Sequence, residues 1–256
     1  MILQFKDMTT ARQIIYLGVL KMLKTTHKLL LNHLLCHIAL IPGIIYGDLW
    51  MFVAGFVWYY IITICSSSAG YHRYYSHQSF KTGKWFEWFT NFLSLFVGSG
   101  PYLTRAAIHR QHHAYADTPK DPSCPVHHGF WKIYFNLWGL DGKIERRFFK
   151  GLIDNKILKF FHNHYWKLVF TIVTVLFLID PLLLIFAYCV PCVLSSHLFG
   201  LFNAYLHKDG KAANSHWLNL FTAGEGYHKT HHDNFKKLRL GLIEPTYFFI
   251  RLIKYD

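Results

Sequence analysis

Two long stretches of the chain, residues 29–71 and 168–207, contain no Lys or Arg, although the chain carries 27 basic residues among 256. A helix needs roughly 20 predominantly apolar residues to cross a bilayer, so each stretch has room for two crossings. Inside lipid every backbone polar group must be satisfied within the segment, which leaves the helix as the natural form for such runs. The sequence therefore predicts an all-α integral membrane protein.

Turn-forming residues divide each apolar stretch into a helical hairpin. Tyr46-Gly47-Asp48 interrupts the first stretch, and Asp180-Pro181 interrupts the second. The predicted transmembrane helices are 29–46, 49–69, 167–179 and 181–206. The third is short for a complete crossing, so its start is the least certain boundary.

The distribution of charge predicts the orientation of these helices. The two outer turns, at Asp48 and Asp180, carry no basic residue, whereas segments 1–28, 70–166 and 207–256 carry all of them except Lys167, which stands at the start of the predicted third helix. Basic residues near membrane ends favour the cytoplasmic side, so these segments should form a cytoplasmic cap. The net charge of +13 then reflects proximity to anionic lipid headgroups, and no nucleic-acid partner is expected. Segment 1–28 is either an amphipathic helix on the membrane surface or an ordinary packed helix.

Three groups of histidines fall on this predicted cytoplasmic side. The pattern H-x-x-H-H occurs twice, and a looser pair precedes it; the eight residues are His72, His77, His109, His112, His113, His228, His231 and His232. Positions i, i+3 and i+4 share one face of a helix, so the imidazoles of each box can converge. Eight imidazoles exceed one closed tetrahedral site, which indicates a two-metal centre. Zinc has no redox chemistry, so iron is the sensible ion for an oxidative reaction.

Other polar residues near these boxes have two predicted roles. Asp117, Asp121, Glu225 and Asp233 flank the histidines and can accept N–H bonds from ligating imidazoles. Arg105, Arg110 and Lys120 of the cap can meet an anionic substrate head group, although ordinary solvated charges are the simpler interpretation. Surface or hydrogen-bonded roles are expected for the remaining histidines, which include His33, His37 and His207.

At these residues the chain resembles the membrane fatty acid desaturases, specifically the acyl-CoA Δ9 (stearoyl-CoA type) group and its bacterial relatives. The matching segments are G-Y-H-R-Y-Y-S-H at 70–77, I-H-R-Q-H-H at 108–113 and G-E-G-Y-H-K-T-H-H at 224–232. The flanks A-D-T-P-K-D-P at 116–122 and I-E-P-T at 243–246 match as well. The resemblance covers about residues 45 to 253.

The resemblance implies four transmembrane helices and a non-haem di-iron centre under the cap. It also implies a ninth histidine ligand on the fourth transmembrane helix, where S-S-H-L-F-G at 195–200 resembles the family's motif and points to His197. In the acyl-CoA members, an Asn four residues before that histidine holds a metal-bound water. The corresponding residue here is Val193, whose side chain neither donates nor accepts hydrogen bonds.

The implied activity is O₂-dependent desaturation of a saturated acyl chain, with Δ9 as the default position and acyl-CoA or an acyl lipid as substrate. Two alternatives stay open: a di-iron membrane hydroxylase or ketolase acting on acyl chains or carotenoids, and a non-catalytic metal-binding descendant of such enzymes. No haem or flavin module is recognisable, so electrons should come from a separate donor, either ferredoxin or cytochrome b5 with its reductase. The membrane would be a bacterial inner membrane or the endoplasmic reticulum.

Overall fold

The computed structural model describes residues 26–137 and 143–255. The described chain is helical, with no strand among these residues, so the predicted all-α class is confirmed. Nearly all of the predicted amphipathic segment 1–28 lies outside the described residues.

Eleven helices, besides one short 3₁₀ helix at Arg146–Phe149, organise the described part of the chain. In order they are α1 (Thr26–Tyr46), α2 (Leu49–Ser76), α3 (Lys84–Ser94), α4 (Tyr102–Tyr115), α5 (Pro125–His128), α6 (Phe130–Tyr134), α7 (Lys156–Ile179), α8 (Pro181–Tyr205), α9 (His216–Phe221), α10 (His228–Asp233) and α11 (Pro245–Ile253). Three of them, α1, α2 and α8, are long and apolar enough to cross a membrane.

The first two helices follow one another as the turn at Gly47-Asp48 predicts. The Asp48 carboxylate caps α2 by accepting a 3.1 Å hydrogen bond from the Met51 amide. Helix α2 does not end near residue 69, however, but continues to Ser76 and is π-helical over Thr63–Ser76. Its polar end remains helical because it packs inside the protein: the hydroxyl of buried Tyr75 accepts a 2.8 Å hydrogen bond from the Asn91 side chain of α3. The extra turns carry His72 into the cap.

Helix α7 also departs from its predicted start. It begins at Lys156 rather than residue 167, because the Asn155 side chain accepts hydrogen bonds from the amides of Ile157 and Leu158 and caps the helix there. It is not among the three helices apolar enough to span a membrane. Exposed apolar residues on its second half, such as Phe170 at 71% and Leu178 at 77%, suit contact with lipid. A fourth crossing and the second hairpin therefore stay predictions.

A buried hydrophobic core holds α1, α7 and α8 together next to the cap. Buried residues from all three helices meet there, including Cys36, Tyr165 and Cys192. Close backbone contacts fix the other helices: a Cβ on Gly70 of α2 would collide with the Thr90 side chain of α3. These contacts hold the cap ends of α2, α4 and α8 near α10, where the histidine groups lie.

Candidate metal centre

The structure gathers nine histidines into two neighbouring clusters. Within each cluster the nearest ring nitrogens all lie within 4.8 Å of one another. The first cluster contains His72, His77, His109, His113 and His231, and the second contains His112, His207, His228 and His232. The described residues thus bring together all eight box histidines, and they add one that the sequence analysis assigned elsewhere.

Each H-x-x-H-H box contributes to both clusters rather than to one point. On α4, His109 and His113 join the first cluster while His112 joins the second. On α10, His228 and His232 join the second cluster while His231 joins the first. Residues i and i+4 point about 40° apart around a helix, but residue i+3 points about 60° to the other side. The spacing therefore divides each box between two adjacent sites.

The spacing of the nitrogens fits shared metal ions. The Nε2 atoms of His72 and His231 are 3.0 Å apart, those of His77 and His109 2.8 Å, and those of His207 and His228 2.7 Å. Two nitrogens bound to one ion at about 2.1 Å are about 3.0 Å apart at a right angle and about 3.4 Å apart in a tetrahedron. The observed distances of 2.7–3.0 Å would bring both nitrogens of each pair within reach of one ion.

Hydrogen bonding alone does not account for this convergence. Nε2 of His231 lies 3.0 Å from Nε2 of both His72 and His113. Nδ1 of His72 donates to Glu225, so in a neutral ring Nε2 of His72 can only accept, and Nε2 of His231 would have to donate to it. That nitrogen then has neither a second proton nor a lone pair with which to bond His113. A cation that accepts a lone pair from every ring satisfies all of them at once.

Three of the four predicted carboxylates hold the outer nitrogens of these rings. Glu225 lies 2.5 Å from Nδ1 of His72, Asp121 lies 2.8 Å from Nδ1 of His112, and Asp117 lies 2.8 Å from Nδ1 of His207. An N–H bond from Nδ1 leaves Nε2 as the lone pair that faces the cluster. Asp233 instead forms an exposed 2.6 Å pair with Lys229 and orients no described histidine.

A buried arginine links the first cluster to the I-E-P-T segment. Arg73 is fully buried, and its guanidinium contacts Glu244 at 2.6 Å and Glu225 at 3.4 Å. Glu244 also accepts hydrogen bonds from the amides of Leu240 and Gly241. Glu244 of the I-E-P-T segment thus balances the charge of the arginine beside Glu225.

Burial, and the repulsion that neighbouring charged rings would exert, favour the neutral form of seven of the nine clustered imidazoles by lowering their pKa: His77, His109, His113, His207, His228, His231 and His232. Burial, followed by the neighbouring histidines, lowers the pKa of His109, His228 and His231 well below the ordinary value of 6.5. The same causes lower the pKa of His232 to about 2. Burial opposes ionisation of Glu225, but His72 and Arg73 outweigh it and lower its pKa to about 2. The site thus offers neutral nitrogen ligands with a carboxylate beside them.

The structure corrects the expectation for the ninth histidine. His197 lies outside both clusters: its Nε2 is 2.8 Å from Nε2 of His37, and its Nδ1 is 2.7 Å from the Tyr134 hydroxyl. His207, expected to have an ordinary hydrogen-bonded role, stands in the second cluster instead. A sequence signal existed, because Asn203 precedes His207 by four residues. Val193 is therefore not the position to compare with the family's asparagine.

A cavity of about 240 Å³ adjoins the clusters. His109, His112 and His228 line it on the cap side, and Asn203 lines it next to them. From there it extends between α1 and α8. Its position allows a ligand to lie beside both histidine clusters while reaching into the membrane-spanning part of the protein.

The predicted head-group residues have different surroundings. Arg105 lines the cavity, with its guanidinium carbon 4.2 Å from the centre of the Tyr71 ring. The Arg110 guanidinium donates hydrogen bonds to backbone carbonyls, including those of Ser76 at 3.0 Å and Tyr75 at 2.7 Å. Lys120 is exposed and lies over the Tyr115 ring. Only Arg105 of these three is placed to meet a molecule in the cavity.

Fold and site together define a class: a helical protein of membrane type whose histidine clusters are able to bind metal. Comparison with known proteins agrees. The family model for fatty acid desaturases matches residues 48–236. The Delta-9 desaturase-like 5 protein of Arabidopsis thaliana is 33% identical over 227 residues, covering 78% of this chain and 72% of the relative.

Two further relatives carry explicit substrate names. The acyl-CoA C20 Delta5-desaturase of Anemone leveillei is 28% identical, with 78% of this chain and 70% of the relative covered. The sn-1 stearoyl-lipid 9-desaturase of Synechocystis is 28% identical, with 77% of this chain and 67% of the relative covered. The chain belongs to the fatty acid desaturase family and is an oxidoreductase, as the histidine boxes predicted.

Proposed function

We propose that this protein introduces a cis double bond into a saturated fatty acyl chain, with Δ9 as the default position, in an O₂-dependent reaction. The observation that carries the proposal is the pair of histidine clusters at the cap side of a cavity that reaches between α1 and α8. Support for the substrate class comes from the relatives, which are named as acyl-CoA and acyl-lipid desaturases. The substrate in this proposal is an acyl-CoA or an acyl lipid, and acyl-CoA is our first choice.

The metal centre in this proposal is a pair of non-haem iron ions. The first ion would be held by His72, His77, His109, His113 and His231, and the second by His112, His207, His228 and His232. When bound, the two ions supply the redox chemistry that activates O₂ against an unreactive C–H bond. The donor set supports this, because neutral imidazoles leave the ions highly charged and suit iron.

The chain's own residues orient the ligands and the substrate. Glu225, Asp121 and Asp117 hold the outer nitrogens of three rings, so that each Nε2 lone pair faces its cluster. Asn203 lines the cavity beside the second cluster, where its amide can hold a water molecule, as the family resemblance implies for that asparagine. Arg105 is the proposed contact for an anionic head group.

The remaining parts of the proposal concern topology and electron supply. Four membrane crossings with both ends in the cytoplasm place the cap, and the active site, on the cytoplasmic face. The positive charge of the cap supports this orientation. Electrons would come from a separate donor, ferredoxin or cytochrome b5 with its reductase.

Expression in a desaturase-deficient host tests the activity. We expect new monounsaturated fatty acids in the lipid profile, at the position that gas chromatography with mass spectrometry identifies. The control is His231→Ala, which removes a nitrogen that contacts two other rings of the first cluster and should abolish the product. An unchanged lipid profile from iron-loaded, well-expressed wild-type protein with reductant supplied would reject the proposal.

A further inference from the structure

A chain of polar side chains lies on the membrane side of the cavity, away from both histidine clusters. Tyr134 of α6 contacts Nδ1 of His197 on α8 at 2.7 Å, and Nε2 of His197 contacts Nε2 of His37 on α1 at 2.8 Å. Nδ1 of His37 lies 2.6 Å from the carbonyl of His33. His37 lies near the middle of the predicted crossing 29–46. Ionisable groups in the middle of a membrane helix are expensive and usually functional.

The direction of every hydrogen bond in this chain follows from valence. The His33 carbonyl only accepts, so Nδ1 of His37 is the donor and, in a neutral ring, its Nε2 is an acceptor. His197 must then donate from Nε2, which leaves its Nδ1 to accept from the Tyr134 hydroxyl. The phenolic proton of Tyr134 is therefore already used in its hydrogen bond to His197. Its oxygen can accept a further hydrogen bond but has no proton left to donate.

Close packing fixes Tyr134 in this position. Gly200 follows His197 by one turn of α8, and a Cβ at Gly200 would lie 2.2 Å from the Tyr134 carbonyl oxygen. The glycine thus lets the backbone of α6 touch α8. The S-S-H-L-F-G segment, which supplies no member of either cluster, here builds the contact between α8 and Tyr134.

These hydrogen-bonded side chains form part of the wall of the cavity that the two histidine clusters also line. His37, His197 and Tyr134 line it, together with His109, His112 and His228 at the cap side. Tyr134 is half-buried and lines this cavity. A purely hydrocarbon ligand lying against it would displace water from the phenolic oxygen without offering that oxygen a donor, whereas a ligand with a hydroxyl group could donate to it.

We propose that the membrane end of the cavity is a subsite for a hydroxyl group on the acyl substrate, which donates a hydrogen bond to the Tyr134 oxygen. That the ligand is an acyl chain rests on the proposed function. The hydrogen bond to Tyr134 does not depend on that function. An alcohol matches the site because it can donate, whereas a carbonyl or ether oxygen cannot. The subsite therefore selects hydroxylated acyl chains over unsubstituted ones.

Binding competition tests this subsite without turnover. Purified, iron-loaded protein in lipid nanodiscs is loaded with a fluorescent fatty acid, which is displaced by octadecanoic acid or by octadecanoic acids carrying one hydroxyl at successive carbons. We expect at least one hydroxylated isomer to displace the probe at about fivefold lower concentration than octadecanoic acid. Tyr134→Phe should remove that preference and leave the affinity for octadecanoic acid within about twofold.

The matched control is Tyr60→Phe, which removes a hydroxyl from a tyrosine of α2 that does not line the cavity; it should keep the preference. The proposal is overturned if no isomer outcompetes octadecanoic acid on the wild-type protein, or if folded Tyr134→Phe keeps the preference. Should that variant fail to fold, the wild-type comparison alone decides. Because binding is measured rather than product, a protein that prefers a hydroxylated chain but makes no double bond contradicts only the proposed function.

Discussion

Nδ1 of His207 donates a 2.8 Å hydrogen bond to Asp117, across 90 residues of sequence. Asp117 has a positive φ of 62°, and its amide donates to Asp121 at 2.9 Å, so one tight turn orients both carboxylates. Asp121 in turn accepts from Nδ1 of His112. A single loop after α4 thereby sets the tautomer of two rings of the second cluster. One is His112 on α4, and the other is His207, which is distant in the sequence.

Replacing His207 should remove one metal ion. The second cluster has four histidines, and His207→Ala leaves three with Asp117 unpaired. We expect the iron content, measured by inductively coupled plasma mass spectrometry, to fall from about two ions per chain towards one. His197→Ala should keep two, because His197 contacts His37 and Tyr134 instead. The reverse pattern, with loss at His197 and none at His207, would show that the ninth ligand is His197 after all.

The carboxylates beside the rings should tune metal affinity. Asp121→Asn keeps the size of the side chain but removes the charge that faces Nδ1 of His112. Loss of such a partner typically costs 10- to 100-fold in metal affinity, which competition with a chelator measures. Asp233→Asn is the matched control, because Asp233 pairs only with exposed Lys229 among the described residues. Equal affinities for the two variants would contradict this role of Asp121.

The Arg73–Glu244 pair should matter for stability. Arg73→Met leaves Glu244 and Glu225, both at most 3% exposed, without their cation. Breaking a buried pair in this way costs about 3–5 kcal/mol in the free energy of unfolding, measured by denaturant titration of the metal-free protein in detergent. Arg147→Met breaks an exposed pair with Glu145 and should cost less than about 1 kcal/mol. A similar small loss in both variants would show that the buried network contributes little.

The metal-free protein should lose stability as the pH falls below about 6.5. Burial and neighbouring histidines lower the pKa of His232 to about 2 and that of His109 well below its usual value. Between the folded pKa and about 6.5 the unfolded chain binds the proton and the folded chain does not, so stability falls as pH falls. Each such histidine contributes about 1.4 kcal/mol per pH unit. Denaturant titrations between pH 7.5 and 5.0 measure the slope.

The slope should become shallower when one of these histidines is absent. His232→Gln removes one titrating ring, and its metal-free form should lose less stability over the same pH range. An identical slope in the variant, or no dependence on pH in the parent protein, would show that the cluster opens and hydrates before it protonates.

Local pattern was sufficient for much of this architecture. Apolar runs without charge predict where helices cross lipid, because the cost of exposing polar backbone or charge in hydrocarbon depends on neighbouring residues alone. In the same way, the H-x-x-H-H spacing points three rings outward from one helix, and the structure brings all eight of these histidines together. Metal binding by them stays a prediction.

Helix ends were less predictable, because contacts with other parts of the fold help to decide where a helix begins and ends. Hydropathy placed the end of α2 near residue 69, but contacts such as that of Tyr75 with Asn91 of α3 keep it helical to Ser76. Helix α7 begins earlier than its apolar run because Asn155 caps it. A cap is readable in the sequence, but only packing shows which of several polar residues acts as one.

The sequence by itself determined the helical membrane class, the family and the eight box histidines, since each depends on composition or on spacing within one helix. Only the tertiary structure decided how the boxes divide into two clusters and that His207, not His197, completes the second. Both residues are polar and follow apolar runs, and the one local difference, Asn203 four residues before His207 against Val193 before His197, gains its meaning only once their partners are known. What separates them is the partner across space: Asp117 and the α10 histidines hold His207, whereas His37 and Tyr134 hold His197.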